Sequence, residues 1–263
     1  MNSLKILTIE SSIIWEDVAG NLEHYDSLLA KFFSFPEKRP DIVIFPEFFT
    51  MGFTMSPQMA ETDNGPTTEW MRSRSKQYGC AIIGSLAVRT SSGIVNRALF
   101  ITPEGEEYVY DKRHLFRMGE ENEHYVKGEK RSLFAYKGWN ISLNICYDLR
   151  FPVWSRNVNN EYDLLINVAN WPKSRIGVTE HLVKSRAIEN QSYYIFANRD
   201  GSDPVTEYNG FSRVVNFKGE DIGEKITLSE TDMIYVELSL ESLSEFREKF
   251  PAYMDADEFR VLN

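Results

Sequence analysis

The stretch Asp41-Ile42-Val43-Ile44-Phe45-Pro46-Glu47 runs four apolar residues together with no polar residue between them. Four residues are too few for a helix, and three of them are β-branched, so the chain here reads as extended. A strand with one solvated face would alternate. A continuous apolar strand is covered on both faces, which places helices outside the sheet. Working outward, similar aliphatic runs predict strands at 5–9, 81–88, 98–102, 139–145, 164–168, 193–197, 211–217 and 233–238. The longer polar stretches predict helices at 21–33, 67–78, 152–159, 178–190 and 240–249. Pro66-Thr67-Thr68-Glu69-Trp70 has the early proline and first-turn acid of a helix start. Glycines 93, 105 and 219 fall in polar stretches between strands, where hairpin turns need them. No linker, repeat or low-complexity tract divides the chain, so residues 1–263 read as one α/β domain.

The charge balance narrows the function. Thirty-nine acidic against 29 basic residues give a formal charge of -10, a poor match for nucleic acid or an anionic membrane, both negative themselves. No segment approaches the roughly 20 apolar residues of a membrane-spanning helix, and the apolar run at the amino terminus is too short for a signal peptide. Two cysteines, Cys80 and Cys146, exclude a disulfide scaffold and supply no CxxC pair for zinc. A cytoplasmic protein with reduced thiols is expected.

Three segments end an apolar strand and follow it at once with a reactive side chain. They are Ile44-Phe45-Pro46-Glu47, Tyr108-Val109-Tyr110-Asp111-Lys112 and Leu143-Asn144-Ile145-Cys146. Strand ends on a rigid sheet hold side chains to the tolerance that proximity catalysis needs. A thiol attacks a carbonyl as thiolate, so Cys146 needs a base or cation beside it. A buried carboxylate such as Glu47 can take that proton and pass it to a leaving amine. An ammonium such as Lys112 can face the oxyanion of a tetrahedral intermediate. Singly, each has an ordinary structural reading: a core thiol, a charge at a helix start, a solvated lysine. Cys80 keeps that reading.

The order of the motifs carries more than the residues do. Phe45-Pro46-Glu47-Phe48-Phe49, Asp111-Lys112-Arg113-His114-Leu115-Phe116 and Asn144-Ile145-Cys146-Tyr147-Asp148-Leu149-Arg150-Phe151-Pro152 resemble the carbon–nitrogen hydrolase (nitrilase) superfamily. The likeness continues through Asn170-Trp171-Pro172, Arg186-Ala187-Ile188-Glu189-Asn190 and Asn209-Gly210-Phe211-Ser212, covering essentially the whole chain. The resemblance implies a four-layer α-β-β-α sandwich, dimerised through helices. It makes Glu47 the general base, Lys112 the oxyanion stabiliser and Cys146 the nucleophile. A second catalytic glutamate is expected seven residues before a glycine, which points to Glu121 ahead of Gly128. Glu120 and Glu123 compete, and His124-Tyr125 stands where two aromatics are common.

Cys146-Tyr147-Asp148 looks like the amidase side of the superfamily, since true nitrilases carry Trp-Glu after the cysteine. The stretches 112–118, 170–175 and 247–257 look like those of bacterial omega-amidases, which hydrolyse the terminal amide of 2-oxo dicarboxylic acid monoamides such as 2-oxoglutaramate and 2-oxosuccinamate. The runner-up substrate is another small linear amide, deaminated glutathione or an N-carbamoyl compound. A non-catalytic binding protein of the same fold is a further alternative. No cofactor or metal is expected; His114, Glu120, Glu123 and His124 have no coherent ligand spacing.

An oxo-acid amide is an anion entering a negative protein beside two glutamates, so a cation must offset it. Arg175 is the first candidate, because its fork suits a carboxylate better than Lys173. Trp171 and Tyr147, in the same motifs, are expected to contact substrate. Arg150 is expected to brace the nucleophile loop by pairing with a buried acid. A rival mechanism would use His114 or His181 as the base for Cys146. Finally, the segment 246–263, aromatic and beyond the last strand, is expected to pack against a dimer partner.

Overall fold

The computed structural model describes residues 3–261, so Leu262 and Asn263 of the 246–263 tail lie outside the described residues. Seven strands form the first sheet: β1 (Ser3–Glu10), β2 (Ile42–Ile44), β3 (Ala81–Thr90), β4 (Gly93–Ile101), β5 (Glu107–Asp111), β13 (Glu224–Leu228) and β14 (Thr231–Ser239). Their order is β13-β14-β1-β2-β3-β4-β5. The second sheet, ordered β12-β9-β8-β7-β6, contains β6 (Phe134–Tyr136), β7 (Trp139–Ile145), β8 (Leu164–Val168), β9 (Tyr193–Ala197) and β12 (Arg213–Val215). A hairpin of β10 (Asp200–Ser202) and β11 (Glu207–Asn209) stands apart. The helices are α1 (Val18–Phe32), α2 (Pro66–Tyr78), α3 (Glu121–His124), α4 (Pro152–Ser155), α5 (Ile176–Glu189) and α6 (Leu240–Lys249).

The run 42–45 does what a doubly covered strand does. Ile42 and Ile44 join the core shared with the second sheet, including Ile141 and Leu143. Val43 and Phe45 point the other way, into a core with Tyr25, Leu29 and Phe32 of α1 and Met71 of α2. β2 pairs parallel with both β1 and β3, and Phe45 N–H extends the ladder to the Ile83 carbonyl at 2.8 Å. On the second sheet, Val183 and Ala187 of α5 and Leu243 of α6 add to the first of these cores. The layers are therefore helix, sheet, sheet, helix. Among the described residues no helix is long and apolar enough to cross a membrane.

Several expected elements shift. The helix expected at 152–159 stops at Ser155, because Asn157 is captured elsewhere: its amide nitrogen donates to the Tyr162 and Asn190 carbonyls at 2.8 and 3.0 Å. The strand expected at 211–217 shortens to β12, since Gly210 and Phe211 both take positive φ, +68° and +75°. Glu10 holds that bend by accepting from Ser212 N–H at 2.6 Å. Gly219, at φ +83°, sits in the turn expected of it, while Gly93, at φ +134°, opens β4 directly after the turn.

The tail begins inside its own domain. Arg247 donates to Asp163 Oδ1 and the Tyr162 carbonyl, both at 2.7 Å, and Phe246 packs 4.7 Å from Phe217. Beyond it Phe250, Met254 and Phe259 are exposed.

Candidate active site

Glu47, Lys112 and Cys146 follow the carboxyl ends of β2, β5 and β7. Lys112 is placed by backbone bonds on both sides: its N–H donates to the Asn96 carbonyl at 2.9 Å, and its carbonyl accepts from Gly128 N–H at 2.8 Å. Glu121 arrives from α3, whose preceding residue Glu120 has φ +58° and turns the chain inward. Glu47, Lys112 and Glu121 are all fully buried.

There the four segments meet. Lys112 Nζ donates to Glu47 Oε1 at 2.8 Å and reaches Glu121 Oε1 and Oε2 at 3.0 and 2.9 Å. Burial works against the ammonium, but the two carboxylates overcome it and hold its pKa above the ordinary lysine value. Burial raises the Glu121 carboxyl, with Lys112 opposing. Glu120 and Glu123 are exposed, so Glu121 alone of the three glutamates joins the cluster. The second oxygen of Glu47 accepts from Asn170 N–H at 2.9 Å.

Cys146 heads a tight turn and has φ +44°, a left-handed conformation that costs a residue with a Cβ about 1–2 kcal/mol. Asp148 holds that turn. Its Oδ2 accepts from Ile145 N–H at 3.0 Å and the Tyr110 hydroxyl at 2.7 Å. Its Oδ1 accepts from His114 N–H at 3.0 Å and lies 2.7 Å from His114 Nδ1. One carboxylate thus ties the residues two on either side of Lys112 to the Cys146 turn. Burial is the chief cause that pushes the Cys146 thiol well above its ordinary pKa; Glu47 adds to the rise, and Lys112 opposes it. Cys80 is raised by burial as well, to about 12, but it has no catalytic group beside it.

Cys146 and Lys112 open onto a cavity of about 430 Å³. Tyr147, Trp171 and Arg175 line it, and so does Arg150. The Arg175 guanidinium lies 4.6 Å over the Phe116 ring and that of Arg150 lies 5.2 Å over Trp171. Among the described residues neither has an acid partner. For Arg150 this corrects the expected brace: the nearby buried acid, Asp148, already has four donors.

The rival bases lie elsewhere. His114 stacks on Phe151 at 3.7 Å and faces an adjoining cavity, and His181 is exposed on α5. Among the described residues no group of three or more His, Cys, Asp or Glu is placed to hold a metal.

Sequence reasoning missed Asn96, whose side-chain nitrogen donates to Glu47 Oε1 at 2.8 Å and Glu121 Oε1 at 3.1 Å. A lone amide inside the apolar run of β4 was the available signal, since a buried amide needs partners. Trp15, Phe53 and Tyr208, which also line the cavity, had no signal in their local sequence.

Residues 6–248 match the family model described as carbon-nitrogen hydrolase. The chain is 44% identical to omega-amidase YafV of Escherichia coli (strain K12) over 262 residues, 99% of this chain and 100% of that protein. It is 32% identical to 2-oxoglutaramate amidase of Bacillus subtilis (strain 168) over 232 residues, 86% of this chain and 89% of that protein. A crystal structure of a CN-hydrolase superfamily protein from Xanthomonas campestris, with an arsenic adduct in its active site, superimposes with a TM-score of 0.93. That protein is 39% identical, and the match covers 99% of this chain and 100% of the other.

Proposed function

We propose that this chain, which belongs to the carbon–nitrogen hydrolase family and hydrolyses amides, releases ammonia from the terminal amide of 2-oxo dicarboxylic acid monoamides such as 2-oxoglutaramate and 2-oxosuccinamate. The observation that carries the substrate class is the pair Arg150 and Arg175, two guanidiniums facing the cavity of Cys146 that have no acid partner among the described residues. Stacking on aromatic faces leaves both in-plane forks free for a carboxylate. The names of the Escherichia coli and Bacillus subtilis relatives support the same class.

The chemistry needs only side chains. Glu47 takes the Cys146 proton as sulfur bonds to the amide carbon, because the raised thiol is protonated at rest. Lys112 faces the oxyanion. Glu47 then gives the proton to the leaving nitrogen, and ammonia departs to leave a thioester. Water attacks the thioester next as Glu47 takes its proton, and collapse breaks the carbon–sulfur bond, releasing the free acid while Glu47 returns the proton to the Cys146 sulfur. Glu121 and Asn96 hold Lys112 and Glu47 in register. Tyr147 and Trp171 shape the wall against which the acyl chain lies. The free thiols Cys80 and Cys146 suit a reducing compartment such as the cytoplasm.

Ammonia release across a panel tests the reading. The 2-oxo acid amides are expected to exceed neutral amides of equal length by at least about tenfold in kcat/KM. A preference for deaminated glutathione, an N-carbamoyl compound or neutral amides would overturn it. Within the panel, Arg175→Met and Arg150→Met should each raise KM for 2-oxoglutaramate by about tenfold or more, since losing one partner of a buried charge contact typically costs about 2–5 kcal/mol. Neutral amides, which never used the contact, should change little. Equal loss on both substrates would reduce that arginine to a wall residue.

The chain acts as a homodimer, with the tail as part of the contact. Ala256, Asp257 and Phe259 run beside Pro152 and Val153 of α4, where Val153 is exposed. Covering such apolar surface stabilises association. Deleting residues 251–263 spares Arg247 and its buried bonds, so the protomer should fold while light scattering reports monomer. A full-strength dimer after that deletion would refute the tail's part.

A further inference from the structure

Arg199 is fully buried, yet among the described residues it has no carboxylate partner. Its Nε donates to the Asp200 carbonyl at 3.0 Å, and Nη2 to the Ile13 and Ser202 carbonyls at 3.1 and 3.2 Å. Nη1 has no acceptor. The guanidinium lies 4.4 Å over the ring of Tyr208, and Tyr208 lines the cavity that holds Cys146. Trp15, another wall residue, packs nearby: a Cβ added at Gly52 would lie 3.1 Å from the Trp15 ring and 3.6 Å from Nη1.

On the other side of Tyr208 stands the acid Asp203. The Tyr208 hydroxyl donates to Asp203 Oδ2 at 2.7 Å, while Asp203 Oδ1 accepts from Val205 and Thr206 N–H at 2.9 and 2.7 Å. Guanidinium, ring and carboxylate thus form a chain at the root of the β10–β11 hairpin, and that hairpin walls the cavity. Anchoring the hairpin uses donors to three carbonyls, and a neutral amide side chain could supply two of them. Burying a full positive charge costs far more than burying a neutral donor, so the charge itself calls for a reason. Behind low-dielectric walls its field reaches the cavity little screened by solvent.

We infer that Arg199 is a specificity-determining residue that favours anionic amides through its field, acting from behind Tyr208 without touching substrate, and that Asp203 offsets part of that field. This rests on the anionic-substrate reading above. It adds a third guanidinium to those of Arg150 and Arg175, from a position no substrate contact would reveal.

The test compares kcat/KM for 2-oxoglutaramate with that for a neutral short-chain amide, in the wild type, Arg199→Gln, Arg199→Lys and Asp203→Asn. Arg199→Gln keeps two N–H donors and loses the charge, so the anionic-to-neutral ratio should fall about tenfold. Arg199→Lys keeps charge and should hold the ratio within about threefold. Asp203→Asn can still accept from the Val205 and Thr206 amides but removes the opposing charge, so the ratio should rise severalfold. A purely structural role predicts proportional loss on both substrates and no rise in Asp203→Asn, and either result overturns the inference. If neither Arg199 variant folds, the direction of change in Asp203→Asn decides: a rise supports it, and no change or a fall overturns it. A wild-type enzyme with no preference for the anionic amide refutes the substrate reading instead, which keeps the two failures distinct.

Discussion

Cys146→Ala is expected to lower ammonia release by at least about four orders of magnitude, because the proposed thioester forms on that sulfur and residues acting as one catalytic unit fail together. The fold should survive. Position 146 has φ +44°, and alanine carries the same Cβ as cysteine, so the backbone strain is unchanged. Asp148 keeps its four donors, which hold the turn from outside the thiol. Cys80→Ala is the control. That thiol is fully buried in the apolar core that holds Ile82 and Ile101, its charged neighbours Asp41 and Lys137 pair with each other, and its loss should leave the rate nearly unchanged. Circular dichroism and melting of both variants would separate lost chemistry from lost structure. Comparable loss of rate in both would count against Cys146 as nucleophile.

Lys112→Met should be the next most damaging change, with kcat falling by about a thousandfold as the cation facing the oxyanion disappears. It also has a larger structural cost than Glu47→Gln. Glu47 and Glu121 share the ammonium in a fully buried cluster. Breaking a buried ion pair by removing one partner costs about 3–5 kcal/mol, so the melting temperature should fall as well. Glu47→Gln keeps the bond from Lys112 through its amide oxygen, and should lose about a hundredfold or more in kcat with a smaller change in melting. Steady-state kinetics beside calorimetry would read both. An active, normally melting Lys112→Met enzyme would remove the lysine from the mechanism.

The physical reason why some of this was legible and some was not lies in how far each residue's partners stand along the chain. The run 42–45 announced a doubly covered strand because both of its faces are apolar, a property of the segment itself. β13, Glu224–Leu228, went unread: it is a largely exposed edge strand whose residues are mostly polar, and its pairing with β14 makes it a strand. β6 has three residues and depends in the same way on β7. The helix at 152–159 looked continuous because the capture of Asn157 by Asn190 and Tyr162 is tertiary.

The candidate site divides along the same line. Glu47, Lys112 and Cys146 each end an apolar strand, so the local sequence marked them. Glu121 was one of three neighbouring glutamates, and only the reversal at Glu120 decides which one turns inward. Asn96 lies 49 residues from Glu47 and 25 from Glu121, and its role exists only where β4 brings them together. Arg150 was misjudged for a reason of satisfiability: a carboxylate two residues away offered a partner, but four other donors occupy it.

The most direct test of a Cys146 thioester is acid-quenched mass spectrometry of the enzyme turning over saturating 2-oxoglutaramate, with peptide mapping of any adduct. The expected result is an acyl group on the peptide carrying Cys146, released by hydroxylamine and missing from Cys146→Ala. An acyl group mapped to any other residue, or undiminished ammonia release from Cys146→Ala, would contradict it.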